Sequence, residues 1–115
     1  MKFYGYSGCS TCRKALQWLA ARHLHAQMLD ITQTPPSLAE LELALAQLGR
    51  KRLFNTSGQS YRALGPAAVQ ALDDRSALAA LAADGKLIKR PFLITSGGAI
   101  LTGFKEQEWQ EALGG

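Results

Sequence analysis

The 115-residue chain predicts an α/β fold: a four-stranded mixed sheet with flanking helices, and a helical insertion between a βαβ half and a ββα half. Three observations carry this prediction. Short runs of strand character stand near both ends of the chain, apolar stripes of helical period fill the stretches between them, and the only two cysteines, Cys9 and Cys12, lie where the first strand hands over to the first helix.

Lys2-Phe3-Tyr4-Gly5-Tyr6 reads as a short strand rich in aromatic residues, and Ser7-Gly8 as a turn. Thr11 to Leu24 follows as a helix with Ala15, Leu16, Leu19 and Ala20 on one stripe. Ala26 to Ile31 is the second strand. A break at Thr34-Pro35-Pro36 leads to Ser37, which forms a capping box with Glu40 and starts a helix carrying Leu38, Leu41, Leu45 and Leu48 up to Gly49. Arg50-Lys51-Arg52 reads as a solvated loop, and Leu53 to Gly58 as a loop with two apolar anchors. Gly65-Pro66 opens a short helix with proline at its first position, and Asp73 or Asp74 caps the next, which ends at Asp84-Gly85. Phe92 to Thr95 and Ala99 to Thr102 are strands joined through Ser96-Gly97-Gly98 as a hairpin, and a last helix runs from about Lys105 to Leu113. The first three elements make a parallel βαβ unit, and the hairpin adds two antiparallel strands. With a thiol pair after the first strand, this is the thioredoxin-like arrangement, with about residues 37–85 inserted between its halves.

Composition fits one domain over residues 1–115, since 47% hydrophobic residues suffice for a single core without disulfide stapling. The sequence opens on a strand without a leader pattern and has no apolar run of membrane length, so a cytoplasmic location and no membrane partner are expected. A net charge of +4 suits an anionic partner without pointing to direct nucleic-acid binding. Trp18 and Trp109 stand at helical positions expected in the core, and His23 and His25 flank Leu24 at a helix end where they face water or the dipole.

Cys9 sits at the mouth of the first helix and Cys12 one turn inside it. The first amides of a helix lack internal partners and, with the helix dipole, favour an anion. A thiolate is such an anion, and Arg13 and Lys14 follow at once, so Cys9 is the expected nucleophile. Cys12 faces the same side and is placed to resolve a mixed disulfide or close an internal one. Three blander roles compete. A structural disulfide would close a loop too short to remove much unfolded-state entropy. A zinc site needs a second ligand pair, and His23 and His25 are one residue apart, outside the usual spacing; no metal is expected. Two buried, inert thiols are the third.

Several stretches resemble one family. Gly8-Cys9-Ser-Thr-Cys12-Arg13-Lys14-Ala15-Leu16-x-Trp18-Leu19, Asn55-Thr56-x-Gly58, Tyr61-Arg62, Ile88-Lys89-Arg90-Pro91 and Gly103-Phe104-x-Glu106-x-x-Trp109 together look like the arsenate reductase-like family, which includes the Spx-type regulators. The resemblance implies a thioredoxin-like fold with Cys9 as redox nucleophile. It also implies an anion site formed by Arg13, Arg62 and Arg90, and a cis Arg90-Pro91 peptide beside the cysteine. Planar guanidinium forks suit an oxyanion or carboxylate. Two departures stand out: Leu101-Thr102-Gly103-Phe104 lacks a further arginine that arsenate reductases carry, leaving Lys105 as the nearest cation, and Ser57 replaces a residue that is often basic.

Three functions follow as expectations. The first is a thiol-disulfide oxidoreductase in which Cys9 attacks, Cys12 or an external thiol resolves, and no cofactor is bound. Glutathione, glutaredoxin or another thiol protein would be its electron donor. The second is an Spx-type redox regulator that binds the C-terminal domain of the RNA polymerase α subunit. The third is an arsenate reductase dependent on glutathione and glutaredoxin.

Overall fold

Apolar side chains at Phe3 and Tyr4 point to opposite faces of β1 (Lys2–Gly5), and both are buried, so the first strand is covered on each side. The structure, a computed structural model, describes residues 1–114. Helix α1 spans Ser10–Ala21 and β2 spans Met28–Asp30. Then come α2 (Leu38–Leu48), α3 (Gln59–Leu64), α4 (Pro66–Ala71), α5 (Asp74–Ala83), β3 (Phe92–Ile94), β4 (Ile100–Thr102) and α6 (Glu106–Leu113). The chain forms two compact units: Met1–Asp30 together with the chain from Arg90 onward, and Ile31–Lys89.

The first unit holds the sheet, in the order β2-β1-β3-β4. β2 runs parallel to β1, while β3 is antiparallel to both β1 and β4. In register, Phe3, Leu93 and Leu101 form one transverse row and Tyr4, Phe92 and Thr102 the next, so the two rows line opposite faces. Against the Phe3 row pack Cys12, Ala15, Trp18 and Leu19 of α1 and Trp109 of α6. Trp109 meets Phe3, Trp18 and Phe104 edge to face, with ring centroids 6.3, 6.1 and 5.1 Å away, and its indole N–H donates to the Gly103 carbonyl at 3.1 Å. Both tryptophans are core residues, as their helical positions predict.

Helix α1 stops three residues before the expected end. His23 takes a left-handed conformation (φ 59°), its N–H donates to the Ala20 carbonyl, and the Leu24 N–H reaches back to the Leu19 carbonyl, each at 3.0 Å. This pair of bonds is a Schellman closure with histidine where glycine is usual, which is why the sequence shows no stop there. β2 is likewise shorter than Ala26 to Ile31, limited to the three residues that pair with β1.

In the second unit the capping box forms as expected: Ser37 Oγ accepts from the Glu40 N–H at 3.1 Å, and Glu40 Oε1 accepts from the Ser37 N–H at 2.9 Å. Of the two candidate caps for α5, Asp73 does the work, accepting from the Ser76 N–H at 2.8 Å. That bond and a second from the Ser76 side chain hold the Asp73 carboxyl below its ordinary range. Two features differ from the sequence expectation. Arg50-Lys51-Arg52 is a 3-10 turn rather than a loop, because Arg50 donates to the Leu72 and Val69 carbonyls at 2.7 and 2.9 Å and pairs with Asp74 at 3.5 Å. Helix α3 stands where no helix was expected; Gly58 caps it without a side-chain bond, so it lacks the sequence mark of a helix start.

Candidate active site

The site is built where β1 ends. Gly5 is the last residue of β1, and a Cβ there would lie 2.8 Å from the Phe3 ring, 3.0 Å from Met28 Sδ and 3.2 Å from Cys12 Sγ. Only glycine leaves room for the buried thiol beneath. The chain then turns through Tyr6, Ser7 and Gly8, with the Cys9 N–H donating to the Tyr6 carbonyl at 3.0 Å. Cys9 has extended backbone angles and caps α1: its Sγ accepts from the Cys12 N–H at 3.2 Å. A cysteine sulfur thus occupies the place that a serine or aspartate oxygen usually takes at a helix N-cap.

The two sulfurs live in different surroundings. Cys9 is partly exposed, whereas Cys12 is fully buried against the Phe3, Leu93 and Trp109 core, and both are free thiols. Burial pushes the Cys12 thiol up to about 12, helped by its hydrogen bond to Cys9 and the charge of that residue. A backbone bond at Tyr6 and the charge of Arg90 oppose the shift. Cys12 is therefore a proton-bearing sulfur at neutral pH.

The predicted arginines fall in different places. Arg13, in the first turn of α1, uses Nη1 to donate to the Ser7 carbonyl at 2.7 Å, so part of its fork braces the turn before Cys9. Arg90 precedes a cis Arg90-Pro91 peptide, as the resemblance implies, and its guanidinium carbon stands 5.6 Å from the centroid of the Tyr6 ring. Cys9, Cys12, Arg13, Arg90 and Pro91 all belong to the first unit. Arg62 belongs to the second, on α3, where one of its nitrogens donates to the Ser57 carbonyl at 2.9 Å. Among the described residues, no group of three or more His, Cys, Asp or Glu side chains is placed to hold a metal ion.

Sequence reasoning missed Tyr6, which it counted as strand. The residue lies one position past β1 and is 39% exposed, with one side of its ring close to Gly8. Only the folded turn reveals the contact: a Cβ at Gly8 would lie 2.7 Å from the Tyr6 ring, so glycine leaves the ring its room.

Sheet order, strand directions and a cysteine pair at the mouth of the first helix define a thioredoxin-like fold. Within that class the chain belongs to the ArsC family, whose model matches residues 4–112. The YusI protein of Bacillus subtilis is 40% identical over 114 residues, covering 96% of each chain. A crystal structure of an ArsC family related protein from Bacteroides fragilis superposes with a TM-score of 0.86 at 34% identity, covering 96% of this chain and 94% of that one. More distant relatives carry functional names. An arsenate reductase of Neisseria meningitidis is 29% identical over 102 residues, covering 86% of each chain. The regulatory protein MgsR of Bacillus subtilis is 27% identical over 96 residues, covering 82% of this chain and 75% of that one. Among the described residues, no helix is long and apolar enough to cross a membrane.

Proposed function

We propose that this protein is a cytoplasmic thiol-disulfide oxidoreductase with Cys9 as nucleophile and Cys12 as resolving thiol. One observation carries the proposal: an accessible Cys9 sulfur, held at the mouth of α1 by the Cys12 amide, stands beside a buried, protonated Cys12. In the first step the Cys9 thiolate attacks one sulfur of a substrate disulfide. That S–S bond breaks, one half leaves as thiolate, and the other half is bonded to Cys9. Cys12 then gives up its proton and attacks Cys9 Sγ, expelling the second half and leaving a Cys9–Cys12 disulfide. Two electrons have passed from the protein to the substrate, and a thiol donor such as glutathione or a glutaredoxin returns them.

The order of the two steps follows from the thiols themselves. Burial is the largest reason that Cys12 holds its proton, and the next, the hydrogen bond to Cys9, weakens once Cys9 is tied into a mixed disulfide. Cys12 thus stays quiet until Cys9 has reacted. Arg90 adds a cation whose charge favours the Cys12 thiolate when it forms. A cytoplasmic setting fits, because a reducing compartment keeps both thiols ready.

The test is turnover of a glutathione mixed disulfide. Cys9→Ser is expected to abolish it, and Cys12→Ser to stop at a trapped mixed disulfide on Cys9 that intact-mass measurement detects. Unchanged turnover in Cys9→Ser removes the proposal. A second reading, a redox regulator, is favoured by the likeness to MgsR together with a pair that can close internally. A pulldown with the RNA polymerase α C-terminal domain, with and without oxidant, decides it, and no binding in either state removes it. Arsenate is the natural third substrate to include, given the neisserial relative's name. Arsenate-dependent NADPH consumption, coupled through glutathione and glutaredoxin, reports it.

A further inference from the structure

We propose that Tyr6 is a specificity-determining residue: its exposed ring is the platform on which a planar group next to the substrate's half-cystine lies during exchange at Cys9. The inference rests on the thiol-exchange function and names the kind of disulfide that function prefers, a carboxylate-bearing peptide with an aromatic side chain beside its cysteine.

Three observations lead there. Tyr6 is 39% exposed, and of the four exposed large hydrophobic side chains among the described residues it alone belongs to the first unit, where both sulfurs are. A large, partly exposed ring on the turn that leads to the nucleophile offers area for stacking. Second, the ring has neighbours from both sides of the site. A Cβ at Gly8, the residue next to Cys9, would lie 2.7 Å from it, and the Arg90 guanidinium stands over it, 5.6 Å from its centroid. Third, the Tyr6 backbone is tied to the sulfurs. Its carbonyl accepts the Cys9 N–H at 3.0 Å, and a backbone bond joins it to Cys12. The ring's place relative to Cys9 is thus set by the same turn that presents the nucleophile. A partly exposed ring with a guanidinium over it suits a planar apolar group carrying a nearby carboxylate, since the cation can pair with the carboxylate while the exposed part of the ring takes the plane.

The experiment is single-turnover exchange, with reduced protein in excess over disulfide, so that the two electrons come from Cys9 and Cys12 and no other reductant is needed. Two probes are compared. One is a mixed disulfide of glutathione with a Trp-Cys-Glu peptide; the other is bis(2-hydroxyethyl) disulfide, which has neither plane nor carboxylate. Tyr6→Ala is expected to raise the half-saturating concentration for the peptide about fivefold, the scale of one aromatic contact, and to affect the hydroxyethyl disulfide far less. Tyr6→Phe is expected to keep wild-type behaviour on both. An unchanged rate of Cys9 alkylation by iodoacetamide in Tyr6→Ala shows the turn intact. Equal loss on both probes, or no loss on the peptide, overturns the role of Tyr6. If instead Cys9→Ser exchanges as fast as wild type, it is the underlying thiol function that falls.

Discussion

At the scale of single residues, two identical side chains three positions apart behave as different chemical groups. Cys9 caps a helix and meets solvent; Cys12 lies inside the core with its thiol raised to about 12. The sign of the resulting pH dependence is definite. The folded protein holds the Cys12 proton more tightly than the unfolded chain, where a thiol titrates near ~8.5. Its contribution to stability is therefore complete below that value and is lost as pH rises towards about 12. In that window wild type should lose up to about 1.4 kcal/mol per pH unit relative to Cys12→Ala, the limit for one proton. Urea unfolding of both proteins at several pH values from neutral to alkaline measures it. A difference between them that stays constant with pH would show that burial does not hold the proton.

Among the elements, α1 carries the site at its first residues and an unusual closure at its last. His23 occupies a left-handed position that glycine fills without strain, a conformation that costs an L-residue roughly 1–2 kcal/mol. Glycine gives back part of that through greater freedom in the unfolded chain. His23→Gly is therefore expected to raise stability by about 0.5–1 kcal/mol without altering exchange at Cys9, and thermal unfolding reads the gain directly. A fall in the melting temperature would mean that the imidazole makes contacts worth more than the backbone strain.

For the whole molecule, the first unit depends on one indole. Trp109 is completely buried, touches three aromatic rings and has its N–H satisfied by Gly103, so it joins α6 to β1, α1 and the segment after β4. Trp109→Ala removes all of this and should cost about 3–5 kcal/mol. That is a large share of the roughly 5–15 kcal/mol that a domain possesses. Trp109→Phe should cost less, because it keeps one aromatic ring among its edge-to-face neighbours and loses the N–H bond and the volume of the second ring. Denaturant midpoints of the two variants rank them, and near-wild-type stability in Trp109→Ala would show that the core closes around the gap.

Much of this was legible in the chain itself, and the reason is locality. Strand alternation, the Ser37–Glu40 box, the Ser96-Gly97-Gly98 hairpin turn and the place of Cys9 at a helix mouth are all set by residues within four positions of one another. What lay outside reach depends on partners distant in sequence or on backbone angles without a residue signature. The Schellman closure at His23 has no glycine to announce it, and Arg50 becomes a structural cation only because α4 and α5 present carbonyls and a carboxylate to it. Cys12 is buried because it joins a core cluster to which Phe3, Leu93 and Trp109 come from three separate stretches. By itself, then, the sequence determined that two thiols meet at a helix N-terminus in a thioredoxin-like order of elements. Tertiary packing alone decided which thiol is exposed and which keeps its proton, because desolvation is a sum over neighbours that only the folded chain assembles.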